Sequence, residues 1–335
     1  MVPPDKTPTI IDVAEAAGVS KSLVSLALGN KPGVKAETRQ RIIDVAQRMG
    51  YRRNQWASAL VGGPTRTIGV ALTDLSNAYY TDVAVAIEEH AERADYGIVL
   101  VHGRRNTERL AAQLERLVAL RVDGIVLVGS WVSSAHLARL ADRVPIVVVG
   151  RLPDEVPGVD TVRNDDELGA RLAVEHLVER GHRRIVHVSR SDRPASIGRR
   201  AGYRDSMRAA GLESEIRIIG PKHWAAQWDE ILESLVADPN APTAVFASND
   251  QAAHHVLVSA LDAGIEVPDD LAIIGYDNST LSTATRPDLT TIDQPRTLMG
   301  EQALDLLLSR MADNAAPQQH LVATPVLLAR GSTAS

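Results

Sequence analysis

"TIIDVAEAAGVSKSLVSLALGN", residues 9–30, reads as two short helices joined through a glycine. Thr9, followed three positions on by Asp12, forms a capping box with Asp in place of Glu or Gln, and it opens a helix over "IIDVAEAA". Gly18 ends that helix, and Ser20 is placed to cap the next, which runs to about Leu28. The loop "GNKPGVK" follows. A third helix, about Ala36 to Met49, sets Ile42, Val45, Ala46 and Met49 on one stripe before Gly50 stops it. Two helices on a tight glycine turn, closed by a third, make the smallest helix-turn-helix domain, here residues 1–50.

At about 100° per residue, Val24, Ala27 and Leu28 share one face of the second helix, while Ser22, Ser25, Leu26 and Gly29 share the other. Leu23 lies between the two faces. Leu26 is therefore expected to point outward; the competing reading packs it under the third helix or the linker. Residues 1–62 hold nine basic and five acidic side chains, a net of +4. The rest of a chain whose formal charge is −6 then carries −10, and four of the five lysines lie in the head. A basic head on an acidic body implies a polyanionic partner for the head alone.

Working outward, residues 51–64, "YRRNQWASALVGGP", contain a helix-compatible stretch with an Asn cap, only about two turns long. So short a helix is marginal alone in water, and Gly-Gly-Pro ends it as a linker. Beyond Thr67 the pattern changes. Buried-strand runs "TIGVAL", "GIVLVH", "GIVLVG" and "PIVVVG", then "RIVHVS", "EIRIIG", "TAVFAS" and "LAIIGY", alternate with helical stretches. This predicts an α/β body over 65–335, made of two doubly wound parallel subdomains divided near 160, with a crossover near 280–295. Ligands of such folds sit at the carboxyl ends of strands, which directs attention to the residues just after each run.

Other classes are excluded on chemistry. With no cysteine there is neither disulfide nor thiolate site. His254 and His255 are adjacent on one helix and point about 100° apart, a poor metal pair. No G-x-G-x-x-G, Walker A, G-x-S-x-G or H-E-x-x-H occurs. We therefore expect no enzyme, metal or cofactor. With no apolar leader and no run of membrane-spanning length, a soluble cytoplasmic protein is expected.

In their order and spacing, these stretches resemble the LacI/GalR family of bacterial transcriptional regulators over essentially the full length. The carriers in the head are "TIIDVAEAAGVSKSLVS", "VKAETRQRIIDVAQRMGYRRN" and "NQWASAL". In the body they are "TRTIGV", "EHLVERGHRRI", "RRAGY", "AVFASNDQAA", "IIGYDN" and "LTTIDQP". The resemblance implies a body like periplasmic sugar-binding proteins, with three crossovers and an effector in the cleft. It implies a repressor working as a homodimer on double-stranded operator DNA of pseudo-palindromic sequence, allosterically released or engaged by the effector. No C-terminal heptad tail is present, so a tetramer built on one is not expected.

Within that resemblance, Lys21, Ser22 and Leu26 match positions that face base edges in the major groove. The family very often has Arg at the Leu26 position, and losing a bidentate Arg–guanine contact forfeits roughly 1–3 kcal/mol of discrimination. Leucine can instead touch a thymine methyl, so an altered code is expected. Thr9, Ser20, Ser25, Thr38, Tyr51 and Asn54 match backbone-contacting positions, which position without specifying. Lys35 replaces a usual serine cap and adds a phosphate contact. "NQWASAL" matches the hinge helix, with Ala57 and Leu60 entering the minor groove and the paired leucines of a dimer wedging the central step. Trp56 matches a hinge-to-hinge packing position, and Ser58 stands where many members have Arg.

In the body, Asn77, Tyr79, Tyr80, Arg151, Arg199, Trp224, Asp250 and Gln294 match effector-contacting positions. The competing reading of Asp250 is as the cap of the helix opening "QAAHHVL", a role compatible with ligand contact, and Asp277 and Asn278 read as shaping a turn near the cleft. Carboxylate, guanidinium and aromatic groups suit a sugar or sugar derivative. The alternative is a purine-type co-repressed regulator, favoured by Arg193 six residues before Arg199 and by the aromatic pair in "AYY". The resemblance also implies dimerisation through the body subdomains, including the helix from Tyr80 to about Ala94.

Overall fold

A computed structural model describes residues 8–29, 32–51, 64–129, 132–189, 191–222, 228 and 240–334. The chain divides into two compact units, residues 1–65 and 66–335. In the first, α1 (Ile10–Ala17), α2 (Lys21–Leu28) and α3 (Ala36–Arg48) close on a core of Val13, Ala17, Val24, Ala27, Ile42 and Val45. The start and stop residues act as their chemistry dictates. The Thr9 hydroxyl accepts from the Asp12 amide while Thr9 N–H donates to the Asp12 carboxylate at 2.7 Å, completing the capping box. Gly18 takes φ 66°, the left-handed turn that lets the chain re-enter α2. Ser20 Oγ accepts from Leu23 N at 3.2 Å. Lys35 supplies no side-chain cap to α3, as its chemistry predicts.

The second unit holds two six-stranded sheets. In chain order its elements are β1 (Thr67–Leu72), α4 (Ala78–Arg93), β2 (Gly97–His102), α5 (Thr107–Ala119), β3 (Gly124–Val128), α6 (Ser134–Ala141), β4 (Ile146–Val149) and β5 (Val159–Asn164). Then come α7 (Asp166–Glu179), β6 (Ile185–Val188), α8 (Pro194–Ala209), β7 (Arg217–Ile219), β8 (Ala244–Ala247), α9 (Asp250–Asp262), β9 (Ala272–Tyr276), α10 (Leu281–Ala284) and β10 (Thr290–Asp293). Last are α11 (Arg296–Ala312), β11 (His320–Ala323) and β12 (Val326–Leu328). The orders are β11-β5-β4-β3-β1-β2 and β12-β10-β9-β8-β6-β7. The first sheet is parallel throughout. In the second, all pairs are parallel except that the edge strand β12 runs antiparallel to β10.

The chain crosses between the sheets three times: after Asn164, at Gln294–Pro295, and at Thr324–Pro325. Apolar side chains from both faces of each sheet fill the cores, which accounts for the unbroken aliphatic runs of β1, β3 and β4. α11, which follows β10, returns to cover the first sheet with Met299, Ala303, Leu304 and Leu307. Arg310 fastens its end by a two-pronged buried bond to Asp160 on β5, at 3.0 and 2.8 Å. The second core is organised around the buried His187 ring, stacked at 5.4 Å on Tyr203 and 4.7 Å from Phe246. Tyr203 of "RRAGY" donates its hydroxyl to Ile185 O at 2.6 Å, so that motif contributes one core residue beside its arginine.

Candidate functional site

In the helical unit, the exposed side of α2 presents Lys21, Ser22 and Ser25. Leu26 is half-buried and stays outside the apolar cluster, whereas Leu23 and Leu28 pack against it. Arg39 of α3 secures the back of α2 by donating to Ala27 O at 2.7 Å. The result is a rigid helix whose outward surface carries one ammonium, two hydroxyls and part of a leucine. Thr9 and Ser20, expected to meet DNA, both serve as helix caps. Thr38 and Tyr51 are half-buried and Lys35 is exposed. Asn54, Trp56, Ala57, Ser58 and Leu60 lie outside the described residues.

The body contains a cavity of about 140 Å³ where strand ends of the two sheets meet. The first subdomain contributes Asn77, Tyr79 and Tyr80 from the start of α4, and Arg151 after β4. Asn77 is fixed by capping α4, its side chain accepting from Tyr79 N at 3.0 Å, so that helix begins at Ala78 and not at Tyr80. The tyrosine rings meet edge to face, 5.4 Å apart at 73°. Burial raises both hydroxyls above their ordinary acidity range, so they stay neutral donors. Gly129 also lines the wall with φ 99°; a Cβ there would stand 2.2 Å from Thr73 Oγ1.

From the second subdomain, Arg199 on α8 is 7% exposed. It donates Nε to Asp166 Oδ1 at 3.0 Å, lies 3.6 Å from Asp277 Oδ1, and stacks 3.5 Å above the Tyr276 ring. Burial works against its charge, yet Asp166, Tyr276 and Asp277 outweigh that and hold the guanidinium protonated. Asp277 has its carboxyl pushed up to about 7 by burial, with Arg199 pulling the other way. Gln294, at the second crossover, donates to Asp277 Oδ1 at 2.6 Å. Asn164, at the first, donates to Tyr276 Oη at 2.7 Å. Both crossover residues therefore line the cavity while tied to β9.

Two expectations change. Asp250 is corrected: its carboxylate accepts from Ser279 N, Ser279 Oγ and Thr291 Oγ1 at 2.6, 2.9 and 2.7 Å, all behind the cavity wall. Nor does it cap α9, since Asn249 does, accepting from Ala252 N. Gly275 makes room for it, because a Cβ there would lie 2.3 Å from Asp250 Oδ1. Asp277, held at φ 104° at the end of β9, is one of the carboxylates that line the cavity. Asp74, Arg105, Asp166 and Ser248 also line the wall and were missed, although each stands within a few residues of a strand end, where the carboxyl-end rule points. Trp224 lies outside the described residues. Among the described residues no group of carboxylates and imidazoles is arranged to hold a metal ion, and no helix is long and apolar enough to cross a membrane.

A head of this shape ahead of a two-sheet body with a three-way crossover defines a class, and sequence comparison agrees. Residues 9–54 match the family model for bacterial regulatory proteins of the lacI family, and residues 174–333 match a periplasmic binding protein-like domain. Catabolite control protein A of Priestia megaterium is 34% identical over 307 residues, covering 90% of this chain and 92% of the relative. The ribose operon repressor of Escherichia coli K12 is 31% identical over 97% of this chain and 99% of its own. A crystal structure of the lac repressor dimer bound to operator and the anti-inducer ONPF superposes with a TM-score of 0.85 at 26% identity, covering 98% and 100% of the two chains. The chain belongs to the lacI family of bacterial regulatory proteins. It is a DNA-binding transcriptional regulator with a body of the kind that binds a small-molecule effector.

Proposed function

We propose that this chain is a repressor that binds a pseudo-palindromic operator as a homodimer, and that a sugar or sugar derivative in the body cavity sets its operator affinity. The observation that carries the effector reading is the cavity itself. Paired tyrosine edges, the Asp277 carboxyl, Gln294 and Arg199 offer aromatic faces and fixed hydrogen-bonding groups to a polyhydroxylated ligand. The ribose operon repressor and its relatives support the same chemistry. Asn77, Tyr79, Tyr80, Arg151, Arg199 and Gln294 serve as effector contacts, and Asp277 takes the place first given to Asp250. On the DNA side, Lys21, Ser22 and Leu26 read bases, and Ala57 with Leu60 enter the minor groove. The protein works in the cytoplasm and catalyses nothing.

The effector acts by binding one arrangement of the body better than the other; a difference of about 1.4 kcal/mol changes operator affinity tenfold. A purine-type reading is favoured by one feature, the presence of Arg193 with Arg199 in the cavity wall beside the tyrosine pair. Selection of duplexes from a random pool at two salt concentrations, with and without ribose or hypoxanthine, tests both. A palindrome with a kinkable centre, weakened by ribose, is the expected result. Strengthening by hypoxanthine would replace the sugar reading with the purine one. Binding that merely weakens with salt and enriches no sequence in any arm would overturn specific recognition by α2.

A further inference from the structure

The cavity has firm walls on both sides. In the first subdomain the sheet ladder runs on past the strand ends, with Gly129 N donating to Val149 O and Gly150 N to Val162 O, each at 2.8 Å. These two glycines are neighbours in space, since a Cβ on Gly150 would fall 3.6 Å from Gly129 Cα, and both line the cavity with bare backbone. The Tyr80 ring stands beside them, its Cε1 3.3 Å from where a Gly129 Cβ would be. The turn ahead of α4 is equally fixed: Thr73 Oγ1 donates to Val128 O at 3.1 Å and Ser76 N to Asp74 Oδ1 at 3.0 Å. In the second subdomain Arg199 is bonded to Asp166 and to Ser248 O and lies on the Tyr276 ring. Walls packed and bonded in this way yield little to a larger guest.

The space between them is about 140 Å³. Drug-sized ligands occupy pockets of roughly 300–1,000 Å³, whereas a cavity of about 150 Å³ takes a single benzene ring. The two subdomains also touch beside this space. Arg151 meets Glu167 at 2.5 Å, and Gln251 of α9, which itself lines the cavity, donates to Ser76 O at 3.3 Å. Both contacts involve partly exposed side chains, so they lie at the rim and not in the depth.

We propose that the effector is a single sugar unit, one monosaccharide, and that Gln251 is a specificity-determining residue whose contact with Ser76 O helps to shut out a second unit. This rests on reading the cavity as the sugar site. On the flanks closed by the rim contacts, a unit joined to the first can pass only by parting them. Walls held by the sheet ladder do not widen to house it. Discrimination then comes from what the closed site refuses, and not from extra contacts to the preferred ligand.

The test uses the full chain, with calorimetric binding and thermal stability as readouts. Each small probe is paired with an extension of itself: glucose with cellobiose, galactose with lactose, and both ribose and hypoxanthine with inosine. At least one monosaccharide should bind wild type, and its extended partner should bind at least tenfold more weakly. Gln251→Ala should narrow that margin at least threefold. Ala195→Leu, which adds bulk from the first turn of α8 at a residue lining the same cavity, should weaken the hexoses more than ribose. Unliganded melting temperatures report that both variants fold. A disaccharide binding as tightly as its monosaccharide would overturn the size limit and leave the sugar reading standing. An unchanged margin in Gln251→Ala would overturn the role given to that residue. Hypoxanthine binding at least tenfold tighter than inosine, with no sugar bound, would keep the size limit and remove the sugar reading. Binding by none of these probes would overturn both.

Discussion

At the scale of single residues, the buried aspartates Asp166, Asp250 and Asp277 show how little residue type reveals about role. Asp166 holds the guanidinium, Asp250 accepts three hydrogen bonds inside the wall, and Asp277 alone couples Gln294 to the cavity. Asp277 has its carboxyl pushed up to about 7, above the value near 4 of an unfolded chain, so folding takes up a proton between those limits. Its contribution to stability is fullest below pH 4, falls as pH rises, and levels off above about 7. Asp277→Asn cannot ionise. The unfolding free energy of wild type minus that of Asp277→Asn should therefore decline between pH 5 and 7.5, measured by denaturant titration. A difference constant across that range would mean the carboxyl is ionised at its ordinary value. The histidines, including His187 with its pKa lowered by burial to about 3, are common to both proteins and cancel.

At the scale of elements, helix ends were legible because they follow local chemistry. The Thr9–Asp12 box, Gly18 and Ser20 are where their side chains require them to be. Lys35 is the exception that can be exploited. α3 begins with an exposed lysine and no cap, while an N-cap serine is worth about 0.5–2 kcal/mol over a non-capping residue. Lys35→Ser should slow amide hydrogen exchange in the first turn of α3 by up to about tenfold. The same change should weaken operator binding and reduce the salt dependence of log K by about one unit per protomer, if Lys35 neutralises a phosphate. Slower exchange with an unchanged salt slope would confine Lys35 to a structural role. What was not legible at this scale was direction. A side chain such as that of Asp250 sits one residue inside a helix start, and only the packing of β9 and β10 beneath it decides which way it turns. The direction of β12 was hidden for a similar reason, since three residues carry no periodicity that could declare them antiparallel.

At the scale of the molecule, the alternating strand runs placed both sheets and the carboxyl-end rule placed the cavity. The pairing of Asn164 and Gln294 with β9 depended on contacts 112 and 17 residues apart in sequence, which no local pattern encodes. The two subdomains are joined by more than the crossovers. Arg151 reaches Glu167 across the cleft, and Gln251 on α9 donates to Ser76 O at 3.3 Å. The Arg151–Glu167 pair is about one-third to two-fifths exposed, so solvent screening limits it to ~0–1 kcal/mol. Arg151→Gln should accordingly raise hydrogen exchange at the crossovers near 165, 295 and 324 by no more than about fivefold and leave the strand interiors of β3 and β8 unchanged. Faster exchange throughout both sheets would show that Arg151 supports the fold and not the closure.

The placement of α11 and β11 also bears on how the chain is made. The first sheet draws β1 to β5 from residues 67–164 but receives α11, which shares one of its cores with α4, only from Arg296 onward and its edge strand at His320. Ribosomes add about 5–20 residues per second, so a growing chain has Val70, Val126 and Val147 synthesised roughly 8–45 seconds before Met299 and Leu304 exist to pack on them. During that interval the second sheet emerges beside an unfinished first one. The nascent protein thus carries aliphatic surface of one core that stays incomplete until the returning helix is made and docks.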